Sequence, residues 1–365
     1  MKIIMPFNYI DDYFWYRYKP QIMPIAERVD EFTILAYTGR KPKQDEVEVI
    51  MFNREVGPNP TLEMVKRHIL EMYGMTLFRK LNRRYEVARE FINTDGDLVY
   101  CLSGGAIQQT LHYFMKRLRP EVPMIHRMRG DGEKHRSYLM KPPHRWIHNW
   151  VARYSLNCYD WHIPINDEMY RKLRQFGIPR DKITNPIGLG VDTETFKPEY
   201  HNNDRLTCGY FGRMSKEKGL DFLFKLMRQT PEIDYVLLGK REDRLPPLPP
   251  NCTDLGYVQH KDMPRMYGMV DLVLLPSYME GVSNIFPEAY ACGKPVMCSP
   301  QARDISLPLY GYEQQHHIIQ WKQVLNDVTV DRLREKGRAA REWAEGYTWD
   351  HFGERMVEEF KKVLE

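Results

Sequence analysis

Glu280 and Glu288 stand eight positions apart in the stretch PSYMEGVSNIFPEAYACGKPV, Pro276 to Val296. A polar turn separates them and runs into a short apolar segment. Carboxylates accept paired hydroxyl groups well, so this spacing suits one acid for one polyol and the other acid for a second. The amides of Gly281, Val282, Ser283 and Asn284 lie between them, at a helix start. Upstream, LTCGYFGRMSKEKGLDFLFKLM ends a strand near Phe211, turns at Gly212, and sets Arg213, Lys216 and Lys218 before Gly219. Leu220, Leu223, Leu226 and Met227 then recur at helical spacing. Cations at a strand end beside a helix N-terminus favour an anion. Arginine adds bidentate hydrogen bonding and lysine a point charge, so a diphosphate fits. Plain alternatives exist for each: a solvated charge run, a helix-end acid at Glu280, a surface residue at Glu288.

The surrounding elements must place these groups together. Apolar runs recur and are followed by helical patterns: KIIMPF, FTILAY, VEVIMF, DLVYCL, VPMIHRM, WHIPIN and KITNPI in the first half, LTCGYFG, DYVLLG, DLVLLP, PVMCS and HHIIQW in the second. Continuous apolar strands alternating with helices predict parallel sheets covered on both faces, joined by right-handed crossovers. The expected architecture is α/β, with two doubly wound, Rossmann-like domains facing a cleft. The polar segment GVDTETFKPEYHNNDR suggests a linker at 197–204. The domains are expected at 1–198 and 199–347. Residues 348–365 form an amphipathic helix that returns toward the first domain, with Phe352, Met356, Phe360 and Val363 on one face. Open parallel sheets bind ligands at the carboxyl ends of their strands, so the residues just after strands matter most.

The chain has 365 residues, 53 basic and 49 acidic, for a net charge of +4. So small a surplus does not argue for nucleic acid. The six cysteines lack metal spacing and read as reduced thiols of a cytoplasmic protein. No apolar run reaches the length of a membrane span.

GRMSKEKG followed by EGVSNIFPEAYACGKPV resembles the retaining GT-B glycosyltransferases of family GT4, also called glycosyl transferases group 1. NPIGLGVDTETFKP is similar to the segment that closes their N-terminal domain. The resemblance is strong over about Ile183 to Val296. It implies transfer of a sugar from a UDP- or GDP-sugar to a glycan, lipid-linked or small-molecule acceptor, with retention of configuration, no metal and no further cofactor. It implies that Arg213 and Lys218 hold the diphosphate, that Glu280 faces the sugar and that Glu288 binds the ribose. Gly212 would turn the chain there, the amides from Gly281 to Asn284 would touch sugar and phosphate, and Val258 would meet the nucleobase through its backbone. The chain departs from the family at Leu189, where an asparagine is usual, and in lacking a Gly-Gly loop after the first strand. Arg129 stands where many members carry a histidine. His126, Arg129 and Asp131 are therefore candidates near the transferred sugar; the plain reading makes them loop charges or a satisfied strand-end histidine. A nucleotide-sugar-binding protein without transfer activity and a non-hydrolysing epimerase are the alternatives.

Two further features compete for attention. Asp95 and Asp97 form an Asp-x-Asp pair, but they precede a strand as a turn does, so no metal site is expected. Trp146, Trp150 and Tyr154, flanked by basic residues across 134–154, read as helical core packing, with a peripheral membrane contact as the alternative.

Overall fold

The computed structural model describes all residues except 11, 40, 43–45, 52–93, 103–105, 130–155, 202, 243–246, 279, 281 and 305. Its backbone divides into two compact units, one of Met1–Gly188 with Phe352–Glu365 and one of Leu189–His351.

The first unit carries β1 (Lys2–Ile10), β2 (Glu31–Gly39), β3 (Glu48–Met51), β4 (Leu98–Leu102), β5 (Met124–Met128) and β6 (Trp161–Pro164). They pair in parallel in the order β3-β2-β1-β4-β5-β6. The second unit carries β7 (Thr207–Phe211), β8 (Asp234–Leu238), β9 (Cys252–Asp254), β10 (Leu272–Leu275), β11 (Val296–Cys298) and β12 (Gly311–Glu313), all parallel, in the order β12-β11-β10-β7-β8-β9. Each sheet thus has the doubly wound order, reversing direction between β1 and β4 in one unit and between β7 and β10 in the other. This is the two-domain Rossmann-like pattern of the GT-B fold.

Burial explains why these runs read as continuous apolar segments. Every residue of β4, β5, β7, β10 and β11 is buried, as strands covered on both faces must be. The edge strands β9 and β12 are short and partly exposed. Two apolar runs behave otherwise than expected. HHIIQW is not a strand: helix Ile318–Asp327 begins there and buries Trp321 and Leu325, while Ile319 is 69% exposed. KITNPI contributes only a bridge from Ile183 to His162.

Chain segments that leave or rejoin a unit are held by two arginines, Arg127 buried and Arg341 partly buried. In the first unit, Arg127 donates to the carbonyls of Ile187 and Gly188 at 2.5 and 3.1 Å and lies 5.1 Å from the centre of the Phe352 ring. Phe352 opens the buried face of helix Trp349–Leu364, which continues through Met356, Val357 and Phe360. Val363 is only partly buried. Gly353 permits this docking, because a Cβ there would stand 2.4 Å from the carbonyl oxygen of Pro24. In the second unit, Arg341 donates to the carbonyls of Phe196 and Ala291 at 2.8 and 2.9 Å. Val191 and Phe196 lie in that unit's core, so residues 189–198 pack with it rather than with the first.

No helix among the described residues is long and apolar enough to cross a membrane. The basic aromatic segment 134–154 lies outside the described residues.

Candidate functional site

β7 and β10 are neighbours, paired through Cys208–Leu272 and Gly209–Val273 at the point where strand order reverses. The loops after them therefore emerge side by side at the carboxyl edge of the sheet. After β7 the chain passes Gly212 and Arg213, makes a short 3-10 turn over Lys216–Lys218, and reaches Gly219, which precedes helix Leu220–Gln229. Gly219 has φ +77°, and a Cβ there would fall 1.9 Å from the carbonyl oxygen of Pro276, the residue that follows β10 by one. The N–H of Tyr278 donates to the carbonyl of Glu217 at 2.9 Å. Glycine and this backbone bond let the two loops touch.

Their contact brings Lys218 against Glu280. Nζ and Oε2 are 2.5 Å apart, and the side chains are 15% and 13% exposed. The pair is sheltered enough that its Coulomb attraction is not fully screened. Arg213 sits further out. Its guanidinium donates to Glu242 at 2.8 Å and to Glu217 at 2.7 Å, while Tyr210 donates its hydroxyl to the Arg213 carbonyl. Partial burial opposes the charge on Arg213, but Glu242 and Glu217 outweigh it and hold the guanidinium pKa above its usual value.

Glu288 lies in helix Ile285–Ala291, which follows the β10 loop and ends before Gly293. Its side chain is 12% exposed. Oε1 is 2.9 Å from His260 Nε2, and Oε2 accepts from the Tyr267 hydroxyl at 3.1 Å. Each carboxylate oxygen has two acceptor positions. One on each is thus engaged by the protein, leaving one on each. Between the two acids, Ser283 is buried and its Oγ accepts from the Ile285 N–H at 3.3 Å; Val282 is partly buried and Asn284 exposed. Gly281 lies outside the described residues. Val258 packs against the core of this unit, beside the exposed Tyr257.

The first unit treats its candidates differently. His126 is inside β5 and 1% exposed, stacked on Tyr159 with ring centres 4.6 Å apart, and 3.2 Å from His162 through their Nδ1 atoms. Burial drives its pKa down to about 3. A core histidine, rather than a group facing a ligand, occupies that place. Arg129 directly follows β5, with its guanidinium 5.1 Å from the centre of the Tyr18 ring; burial lowers its pKa. Asp131 lies outside the described residues. Asp95 and Asp97 secure the chain start: Asp97 accepts from the Lys2 backbone N–H at 2.8 Å and Asp95 pairs with Lys2 Nζ at 2.7 Å. Among the described residues no cluster of His, Cys, Asp and Glu could hold a metal ion.

The sequence carried no sign of Tyr267 or Glu242 as partners of this site, and only a faint one of His260. His260 and Tyr267 stand 28 and 21 positions from Glu288 and meet it only through the fold. Proximity of His260 to Val258 in the chain was the one available hint.

Residues 205–307 match the family described as Glycosyl transferases group 1. The matched stretch contains Arg213, Lys218, Glu280 and Glu288. A D-inositol 3-phosphate glycosyltransferase of Mycobacterium marinum is 23% identical over 211 residues, covering 48% of this chain and 44% of that protein. An alpha-galactosylglucosyldiacylglycerol synthase of Streptococcus pneumoniae is 26% identical over 249 residues, 57% of this chain and 65% of that one. The chain spans about half the length of several curated relatives it matches. Solved structures share the whole fold. A sucrose-phosphate synthase from Thermosynechococcus elongatus has a TM-score of 0.73 at 16% identity, covering 100% of this chain and 99% of that one. A structure described as trehalose-6-phosphate from E. coli bound with UDP-2-fluoro glucose has a TM-score of 0.69 at 10% identity, with 100% and 99% covered.

Proposed function

We propose that this chain transfers a sugar from a nucleotide diphosphate sugar to a hydroxyl acceptor, with retention of configuration and without a metal ion. One observation carries the reading: a sheltered Lys218–Glu280 pair and a second, tethered carboxylate at Glu288 line the strand-order reversal of the second unit. A sugar, a diphosphate and a ribose in series ask for that set. The fold is also that of an E. coli protein that holds UDP-2-fluoro glucose.

In this reading Lys218 and Arg213 receive the diphosphate, assisted by amides from Gly281 to Asn284. Glu280 accepts from the sugar hydroxyls, Glu288 from the ribose hydroxyls, and the backbone at Val258 meets the base. The C1–O bond to the β-phosphate breaks with its electron pair going to the phosphate. Charge grows on that oxygen, and the two cations oppose it in place of a divalent ion. The acceptor oxygen bonds to C1 and passes its proton to the departing phosphate oxygen, which has gained the electron pair of the broken bond. Acceptor recognition is assigned to the first unit, where Arg129 is the described candidate near the transferred sugar. The proposed site of action is the cytoplasm.

The test is calorimetric titration with UDP and GDP. Glu288→Gln should weaken nucleoside diphosphate binding about ten-fold, the worth of a hydrogen bond to a charged group. Glu280→Gln should leave diphosphate affinity nearly unchanged and lower turnover. Equal losses of diphosphate affinity in both variants, or none in either, would remove the assignment.

A further inference from the structure

His260 touches the group 1 site without belonging to any pattern read from the sequence. It opens the 3-10 turn His260–Asp262, and its imidazole reaches Glu288 Oε1 at 2.9 Å. The Phe196 ring packs beside it with centres 5.3 Å apart, and Phe196 is fully buried in the unit's core. Its position is therefore set from two sides, by an aromatic wall and by the carboxylate. Tyr267 holds the other oxygen of the same carboxylate from helix Met263–Gly268.

We propose that His260 is a positioning residue that orients Glu288 toward a cis-diol, and that its protonation sets how firmly nucleoside diphosphates bind. The inference rests on the reading of Glu288 as the ribose acceptor. Two hydroxyls of a ribose need two acceptor positions at fixed spacing. With Tyr267 on one oxygen and His260 on the other, the carboxylate cannot rotate, and one position per oxygen remains. A held carboxylate spares the ligand the cost of ordering it.

Three elements place titratable groups around the imidazole. Glu288 comes from the helix after β10, Asp192 from the segment that enters the unit, and Tyr267 from the following helix beyond Glu288; Lys261 and Asp262 flank it on its own turn. The hydrogen bond to Glu288 raises the His260 pKa, burial opposes this, and the charges of Glu288 and Asp192 add to the rise. The cation is thus present at and below the ordinary histidine range and is lost as pH climbs past it. A charged donor adds Coulomb attraction to its hydrogen bond with the carboxylate, so affinity should fall over that climb. The Asp192 pKa is lowered, its burial outweighed by the bonds from Thr195 and Glu194, so its charge does not change the sign.

The experiment titrates UDP and GDP into the full chain at several pH values from neutral to pH 9. The wild type is compared with His260→Gln, which keeps a neutral donor, and with His260→Ala. The 2′,3′-dideoxy counterpart of whichever nucleotide binds serves as the second ligand. Expected is a several-fold weakening of wild-type binding with rising pH, a flat profile in His260→Gln, and weak binding in His260→Ala at every pH. The dideoxy ligand should bind equally to all three proteins. If His260→Gln keeps the wild-type slope, or the dideoxy ligand shows the same slope, the positioning role is overturned while the donor reading stands. If neither UDP nor GDP binds the wild type at any pH, the donor reading fails, and the inference with it.

Discussion

Lys218 and Arg213 were indistinguishable as cations in the sequence, yet their settings differ. Lys218 is sheltered and, among the described residues, pairs with Glu280, whereas Arg213 is 52% exposed and shared by Glu217 and Glu242. Exposed ion pairs are weakly held, so Arg213 can exchange its carboxylates for phosphate at small cost. We expect Lys218→Ala to lower turnover by about 2–4 kcal/mol in transition-state terms, as loss of a preorganised electrostatic donor does. Arg213→Ala should cost less. Steady-state rates with the preferred donor check the order; a larger loss at Arg213 would reverse the assignment. At this scale the sequence displayed Glu280, Glu288, Arg213 and Lys218, because their residue types and spacing are local. It did not display the ties from His260 and Tyr267, which arise from packing between separate crossovers. It also made His126 a candidate, because a histidine near a strand end looks the same whether its ring turns to solvent or to Tyr159.

Elements join the residues through one close approach. Gly219 at φ +77° lets the loop after β7 lie against Pro276. Gly219→Ala would add a left-handed strain of about 1–2 kcal/mol and drive a methyl into a carbonyl oxygen. The loops must then part, and Lys218 with Glu280. Denaturant unfolding should show the stability loss, and calorimetry a loss of diphosphate affinity in the protein that remains folded. Wild-type affinity in a destabilised Gly219→Ala would mean that the approach matters for folding only. The central strands were legible because burial on both faces forces continuous apolar runs. The edge strands β9 and β12 were not, since three partly exposed residues carry no such run. HHIIQW misled because two adjacent β-branched residues resemble a strand, whereas only Trp321 and Leu325, four apart, are buried.

The molecule joins a first unit whose apolar core holds three histidines to a second with the charged site. His112, His126 and His162 are all buried in the first unit, and burial, the leading cause, lowers the pKa of each, to about 3 for His112 and His126. Above pH 6.5 these rings are neutral in folded and unfolded chains alike. As pH falls from there toward 3, the unfolded chain takes up protons that the folded unit refuses, and stability drops by roughly 1 kcal/mol per pH unit for each histidine. Urea unfolding at pH 7 and pH 5 should show a clearly lower stability at pH 5; equal values would contradict neutral burial of the trio. The two-unit α/β plan was legible from the alternation of strand and helix patterns, but the passage into the second unit at Leu189 was not. Polar residues after it hide Val191 and Phe196, which belong to the second core. Sugar transfer by the whole chain is tested most directly by incubating the protein with UDP- and GDP-sugars and a panel of hydroxyl acceptors in excess EDTA, and measuring released nucleoside diphosphate. The account predicts release from one donor class that depends on acceptor and on Lys218 and persists in the chelator. Absence of release from every donor, or release abolished by EDTA and restored by Mg²⁺ or Mn²⁺, would contradict it.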